Sequence, residues 1–147
     1  MIFDKYKFNV YSENGEDGIV HEILKRTNIY KNKNKWCCEF GAWDGMHGSN
    51  TFNLIKNKNF KGVYIEADKI RFNLLKKLSF KYSKLFIFNK FVSHKKKSNN
   101  NLDNILKKTQ IKKNFEILSI DVDSYDLEIW NNLRFYFPKI VIIEINS

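Results

Sequence analysis

Cysteine is almost absent from this 147-residue chain, and the two that occur, Cys37 and Cys38, are neighbours. Adjacent cysteines cannot staple distant segments or build a zinc site, so a disulfide framework and a cysteine-based zinc centre are excluded and a reducing, cytoplasmic compartment is expected. Proline is scarcer still, with Pro138 the single example, and no proline- or serine-rich linker interrupts the chain. The longest apolar run, Ile140-Val141-Ile142-Ile143, is far below the roughly 20 residues a membrane helix needs. No basic-then-apolar leader opens the sequence either, so neither a membrane nor export is expected. Arginine stands only at 26, 71 and 134, although the net charge is +10. Lysine scattered among asparagine and isoleucine supplies that charge. The shortage of the residue best suited to bidentate phosphate and base contacts argues against a nucleic acid partner.

Apolar material, by contrast, is sufficient for a core: 43% of residues are hydrophobic, with thirteen Phe, seven Tyr and three Trp. The length suits one domain over residues 1–147. Short β-branched or aromatic runs fall at 35–40, 62–66, 85–89, 115–121 and 139–145, each of buried-strand length. Helical periodicity fills several gaps. Ile19, Val20, Ile23 and Leu24 form one stripe over 16–26, with Asn14 and Asp17 spaced to cap it; further stripes cover 68–79 and 124–133. A short helix is expected near 102–108, after an exposed loop carrying Lys95-Lys96-Lys97. Strands alternating with helices imply an α/β fold with a mostly parallel sheet covered on both faces. In such sheets ligands settle beyond the carboxyl ends of the strands, so chemistry is sought there.

The first strand runs into Glu39-Phe40-Gly41-Ala42-Trp43-Asp44-Gly45. Glycine permits a sharp turn and close approach to the backbone. The spacing is not that of the dinucleotide fingerprint, and Glu39 and Asp44 would repel a pyrophosphate but suit a ligand with an ammonium and a nearby sulfonium; the bland alternative is a tight turn bearing surface carboxylates. The second strand ends at Glu66, placed to accept both hydroxyls of a ribose, with Asp68 the better cap for the helix that follows. Phe91 and Val92, after the third strand, are candidates to cover a purine face or are simply core. Asp121 and Asp123 end the fourth strand two residues apart, and Glu144 and Asn146 end the fifth in the same way. These oxygen ligands fit either a hard divalent ion such as magnesium, held by Asp121, Asp123 and Asn146, or helix capping and ligand hydrogen bonds.

With these residues the chain resembles the class I S-adenosylmethionine-dependent methyltransferases, and within them the FkbM-like branch. The likeness rests on Tyr11-Ser12-Glu13-Asn14-Gly15-Glu16-Asp17-Gly18 as a lead-in, Glu39 to Gly45 as the first cofactor motif, Glu66 as the ribose acid, and Ile120 to Asp126 as the fourth-strand motif. Asp123 and Ser124 depart from the usual Glu-Gly of that last motif. The resemblance implies a Rossmann-like three-layer sandwich with sheet order 3-2-1-4-5, shortened after the fifth strand, whose uncovered edge suggests a homo-oligomer. It also implies methyl transfer to a hydroxyl of a sugar or other small metabolite. Glu39, Gly41, Asp44, Gly45, Glu66, Phe91, Val92 and Asp121 would hold S-adenosylmethionine, while Asp121, Asp123 or Glu144 would act on the acceptor. His47 is a weaker candidate base, and His94 and His21 have no assigned role. Two rival readings remain: a non-catalytic cofactor-binding or scaffold module, and an RNA-binding or RNA-modifying protein. The aromatic residues fall mostly at expected core positions rather than between the lysines, which speaks against the second rival.

Overall fold

The computed structural model describes residues 2–122 and 125–143. Five strands, β1 (Trp36–Phe40), β2 (Lys61–Glu66), β3 (Leu85–Asn89), β4 (Ile117–Ile120) and β5 (Ile140–Ile143), form one sheet in the order β3-β2-β1-β4-β5. Every pairing is parallel, so the chain must cross over between strands, and helices supply the crossovers. The helices are α1 (Glu16–Arg26), α2 (Phe52–Asn57), α3 (Lys69–Ser79), α4 (Leu102–Leu106) and α5 (Asp126–Asn131). This is the expected Rossmann-like α/β fold, in the expected strand order.

The period-two alternation of β1 divides the core. Trp36, Cys38 and Phe40 project to one face with Val63, Ile65, Leu118 and Ile120, where Leu106 of α4 and Ile129 of α5 cover them. Cys37 projects to the other with Tyr64 and Ile117, under Val20 and Leu24 of α1, Ile55 of α2 and Leu75 of α3. The two cysteines, both free and buried, therefore lie on opposite faces of the sheet. Both faces are covered, which is why the strands read as continuous apolar runs.

At the amino ends of β1 and β4 the sheet is tied by a buried carboxylate. Glu116 accepts from the Trp36 backbone N–H at 2.7 Å and from Lys112 Nζ at 2.7 Å and Lys139 Nζ at 3.1 Å. Burial penalises its charge, but these donors outweigh that and hold the carboxyl below the usual glutamate range.

The helix starts differ in part from the sequence expectation. Asp68 does cap α3, accepting from the Arg71 N–H at 2.7 Å. The cap of α1 is instead Gly15 at φ 96°, with no side-chain bond. Asp17 turns back to the lead-in, where its Oδ2 accepts from the backbone N–H groups of Val10, Tyr11 and Ser12 at 2.7–2.9 Å and from the Ser12 hydroxyl at 2.9 Å. Three converging amides outcompete a single cap bond. α2 went unread because six residues give too little periodicity to register, and Phe52, Asn53, Leu54 and Ile55 are all buried. Among the described residues, no helix is long and apolar enough to cross a membrane.

Candidate functional site

Strand order reverses at β1, which has β2 on one side and β4 on the other, so the chain leaves their carboxyl ends in opposite directions and opens a crevice. Register aligns those ends: Phe40 pairs with both Ile65 and Ile120. A cavity of about 460 Å³ lies here, bounded by Phe40 and Gly41, by Ile65 to Asp68, by Lys90 to Val92, and by Asp121, Val122, Tyr125 and Ile129. Its size falls within the roughly 300–1,000 Å³ of small-molecule and cofactor sites.

Gly41 makes the crevice possible. It sits at φ 76°, and a Cβ there would lie 1.7 Å from the carbonyl oxygen of Asp121. Any larger residue would force β1 and β4 apart at the point where they form the cavity floor.

Glu66 is only 5% exposed, and both of its oxygens are anchored. Oε2 accepts from the Trp43 N–H and Oε1 from the Asp68 N–H, each at 2.7 Å. Besides the ligand role expected from the sequence, it is thus clamped between the loop after β1 and the start of α3. A carboxylate offers about four acceptor directions, so two remain for a ligand in the cavity it lines.

The structure brings Gly41, Glu66, Phe91, Val92 and Asp121 to the same cavity. Phe91 is 62% exposed at its rim, whereas Val92 is buried among the core residues.

Three of the expected cofactor residues do not line it. Glu39 is buried on the other side of its strand end, where Oε2 accepts from the hydroxyls of Thr51 at 2.5 Å and Ser49 at 2.9 Å and from the Thr51 N–H at 3.1 Å. Those two hydroxyls also bond Tyr64, so the group ties the β1–α2 connection to the sheet. Burial pushes the Glu39 carboxyl above the usual range despite these donors. Asp44 folds into its own loop, accepting from the Met46 and His47 N–H groups at 2.9 Å and pairing with His47 Nδ1 at 2.5 Å. Partial burial opposes its charge, but the His47 bond and the two amides hold its carboxyl below the ordinary aspartate range. Gly45, at φ 82°, serves packing, because a Cβ would meet Leu75 at 2.6 Å and Leu78 at 2.9 Å on α3. His47 is exposed, with Asp44 as its partner, and does not reach the cavity.

Asp123, Glu144 and Asn146 lie outside the described residues. Among the described ones, no group of three His, Cys, Asp or Glu side chains is placed to hold a metal ion, and Asp121 is the one described member of the expected magnesium set. A second, smaller cavity of about 110 Å³ shares Asp121 and is bordered by Glu13, Asn14, Glu16 and Asn50.

Sequence reasoning missed Trp43, Arg71, Lys90 and Tyr125 as cavity residues. Trp43 had a signal in its place between Gly41 and Gly45. Arg71 and Lys90 looked like ordinary surface cations, and Tyr125 lay within a motif read only for its carboxylates. The lysines are also less separate from aromatic rings than expected: Lys56 lies over Tyr11, Lys58 over Tyr30 and Lys107 over Phe135, at 5.3, 5.8 and 4.1 Å.

No protein-family model matches the chain, and no curated protein matches it in sequence. Among solved structures, it is similar to TrmK of M. capricolum in complex with the natural cofactor product S-adenosyl-homocysteine. The TM-score is 0.51 at 18% identity, over 82% of this chain and 50% of that one. The chain thus spans half the length of that protein, and the likeness carries the fold alone: a Rossmann-like parallel sheet flanked by helices.

Proposed function

We propose that the protein is an S-adenosylmethionine-dependent methyltransferase acting on a hydroxyl of a sugar or other small metabolite. The observation that carries this reading is the clamped Glu66 carboxylate, with two acceptor directions left, lining a cavity at the reversal point of the sheet. The neighbouring fold supports it, since TrmK was solved with the cofactor product. Glu66 accepts the two ribose hydroxyls, and Gly41 lets the ligand approach the β1 backbone. Phe91 and Val92 offer apolar area to a purine. Glu39 and Asp44 face elsewhere, so neither meets the cationic end of the ligand.

When bound, the cofactor supplies a methyl group already activated on a sulfonium. The chain's task is then to align an acceptor and take its proton. In this reading Asp121, which borders both cavities, accepts that proton as the hydroxyl oxygen bonds the methyl carbon and the carbon–sulfur bond breaks to leave a neutral thioether. The free, buried cysteines suit a reducing compartment, the cytoplasm.

Calorimetric titration with S-adenosylhomocysteine tests the cofactor assignment, and its release from S-adenosylmethionine across a panel of hydroxyl acceptors tests the reaction. Binding without turnover on any acceptor would favour the scaffold reading. Asp121→Asn is expected to lower kcat by about 10²–10⁴, the usual contribution of a general base; full activity in that variant removes Asp121 from the mechanism.

A further inference from the structure

Trp43 occupies a backbone conformation its side chain does not favour. Its φ is 49°, in the left-handed region. Two neighbours hold it there: the Glu66 carboxylate takes its N–H at 2.7 Å, and the Arg71 guanidinium lies 5.4 Å from the centre of its ring. The contacts close a circuit. Glu66 also accepts from the Asp68 N–H, Asp68 accepts from the Arg71 N–H, and Arg71 returns to the indole. All four residues line the large cavity.

Core packing does not explain the arrangement, because Trp43 is 46% exposed. A strained residue persists only where its surroundings over-determine it, and such residues gather at ligand clamps. Here the over-determining group is the same carboxylate assigned to the ribose. The indole therefore starts from the ribose end of the cavity, and the cation over it limits how far the ring can swing.

We propose that Trp43, steadied by Arg71, is a cofactor-binding residue: its indole is the aromatic wall against which the nucleoside of an adenosyl ligand packs. The proposal rests on the methyltransferase reading above. It assigns the contact to the purine nucleoside rather than to the amino-acid end, so adenosine alone and S-adenosylhomocysteine depend on Trp43 to the same degree. Flat, polarisable surface is what the role needs, and Phe supplies much of it while Leu supplies only bulk.

The test compares Trp43→Phe with Trp43→Leu, which make the same backbone demand and differ in aromaticity. Affinities for adenosine and S-adenosylhomocysteine are measured by calorimetry well below the melting temperature. Trp43→Phe is expected within about threefold of the unmodified protein, and Trp43→Leu about tenfold weaker for both ligands, the order of one lost aromatic–base contact. Trp43→Gly adds a readout that a merely structural residue would not give. Glycine accepts the left-handed conformation, so its melting temperature is expected to hold or rise while affinity falls about tenfold. In a Trp130→Phe background, with Trp36 only 1% exposed, ligand binding should quench the emission of Trp43.

Equal affinities for the Phe and Leu variants, or unchanged affinity in Trp43→Gly, would overturn the proposal while leaving the methyltransferase reading in place. An unmodified protein that binds neither ligand would overturn that reading itself.

Discussion

Removing the Glu66 carboxylate separates its two roles, because the structure gives it a mechanical duty and leaves it capacity for a ligand. The mechanical duty is the pair of 2.7 Å bonds from the N–H groups of Trp43 and Asp68. In Glu66→Gln one amide oxygen can keep one of these bonds, but the NH2 must then face the other donor. An unsatisfied donor at so buried a position costs about 1–3 kcal/mol, a fall of several degrees in melting temperature for a chain of this size. The ligand role adds a separate loss. Two ribose hydroxyls bonded to a carboxylate contribute about 1.5–3 kcal/mol each, or about 3–6 kcal/mol together, equivalent to about 10²–10⁴ in Kd. Glu66→Ala should lie near the lower end, since water can enter and hydrate what the carboxylate leaves. Calorimetry with S-adenosylhomocysteine reads the affinity, and thermal unfolding of the ligand-free protein reads the stability. If Glu66→Ala melts lower yet binds as tightly as the unmodified protein, the carboxylate is only a clamp and the ribose assignment is wrong.

Other perturbations have equally definite outcomes. Gly41→Ala places a Cβ where the Asp121 carbonyl stands and imposes a left-handed φ that costs a side-chain residue about 1–2 kcal/mol; a melting temperature lowered by about 10 °C is expected, and an unchanged one would contradict the contact. Glu116 has a lowered folded pKa, so its stabilisation is complete above the ordinary value of 4.5 and is lost as pH falls through the lower folded value. The gap in melting temperature between the unmodified protein and Glu116→Gln should therefore be wide at pH 7 and close in acid, and a gap independent of pH would refute the ion-pair account. Glu39 has the opposite sign. Its folded pKa is raised, so the stability of its neutral form is present in acid and lost as pH rises through the folded value. Glu39→Gln, neutral throughout, should gain on the unmodified protein as pH rises above 4.5, and chemical denaturation at a series of pH values would reveal a constant difference if that is wrong.

Much of the fold was legible because burial on both faces leaves an unmistakable mark. Apolar runs such as Trp36–Phe40, wholly buried, and Ile140–Ile143, half-buried at the sheet edge, are separated by helical stripes, and that is enough to read a parallel α/β sheet. Asp68 was legible as a cap because capping is a local contact, formed three residues away on the same turn. The position of Gly41 and Glu66 at the cavity was legible because strand ends in this architecture border that crevice by topology alone.

Other assignments depended on which way a side chain turns after its strand ends, and that is set by competing partners far along the chain. Glu39 and Glu66 both end strands and both carry a carboxylate. Yet Glu39 is claimed by Ser49 and Thr51 beneath the β1–α2 connection, while Glu66 is held at the cavity by amides from two separate elements. Asp17 was drawn from its cap by three amides of the lead-in, and Asp44 was taken by His47. The pairing of Trp43 with Arg71 joins residues from two different crossovers and has no signature in either segment. Periodicity and glycine placement thus determined the sheet and the location of its crevice, since these depend on backbone pattern and burial. Packing alone decided which carboxylates reach that crevice, because a buried charge goes to whichever donors the folded chain brings within hydrogen-bond distance.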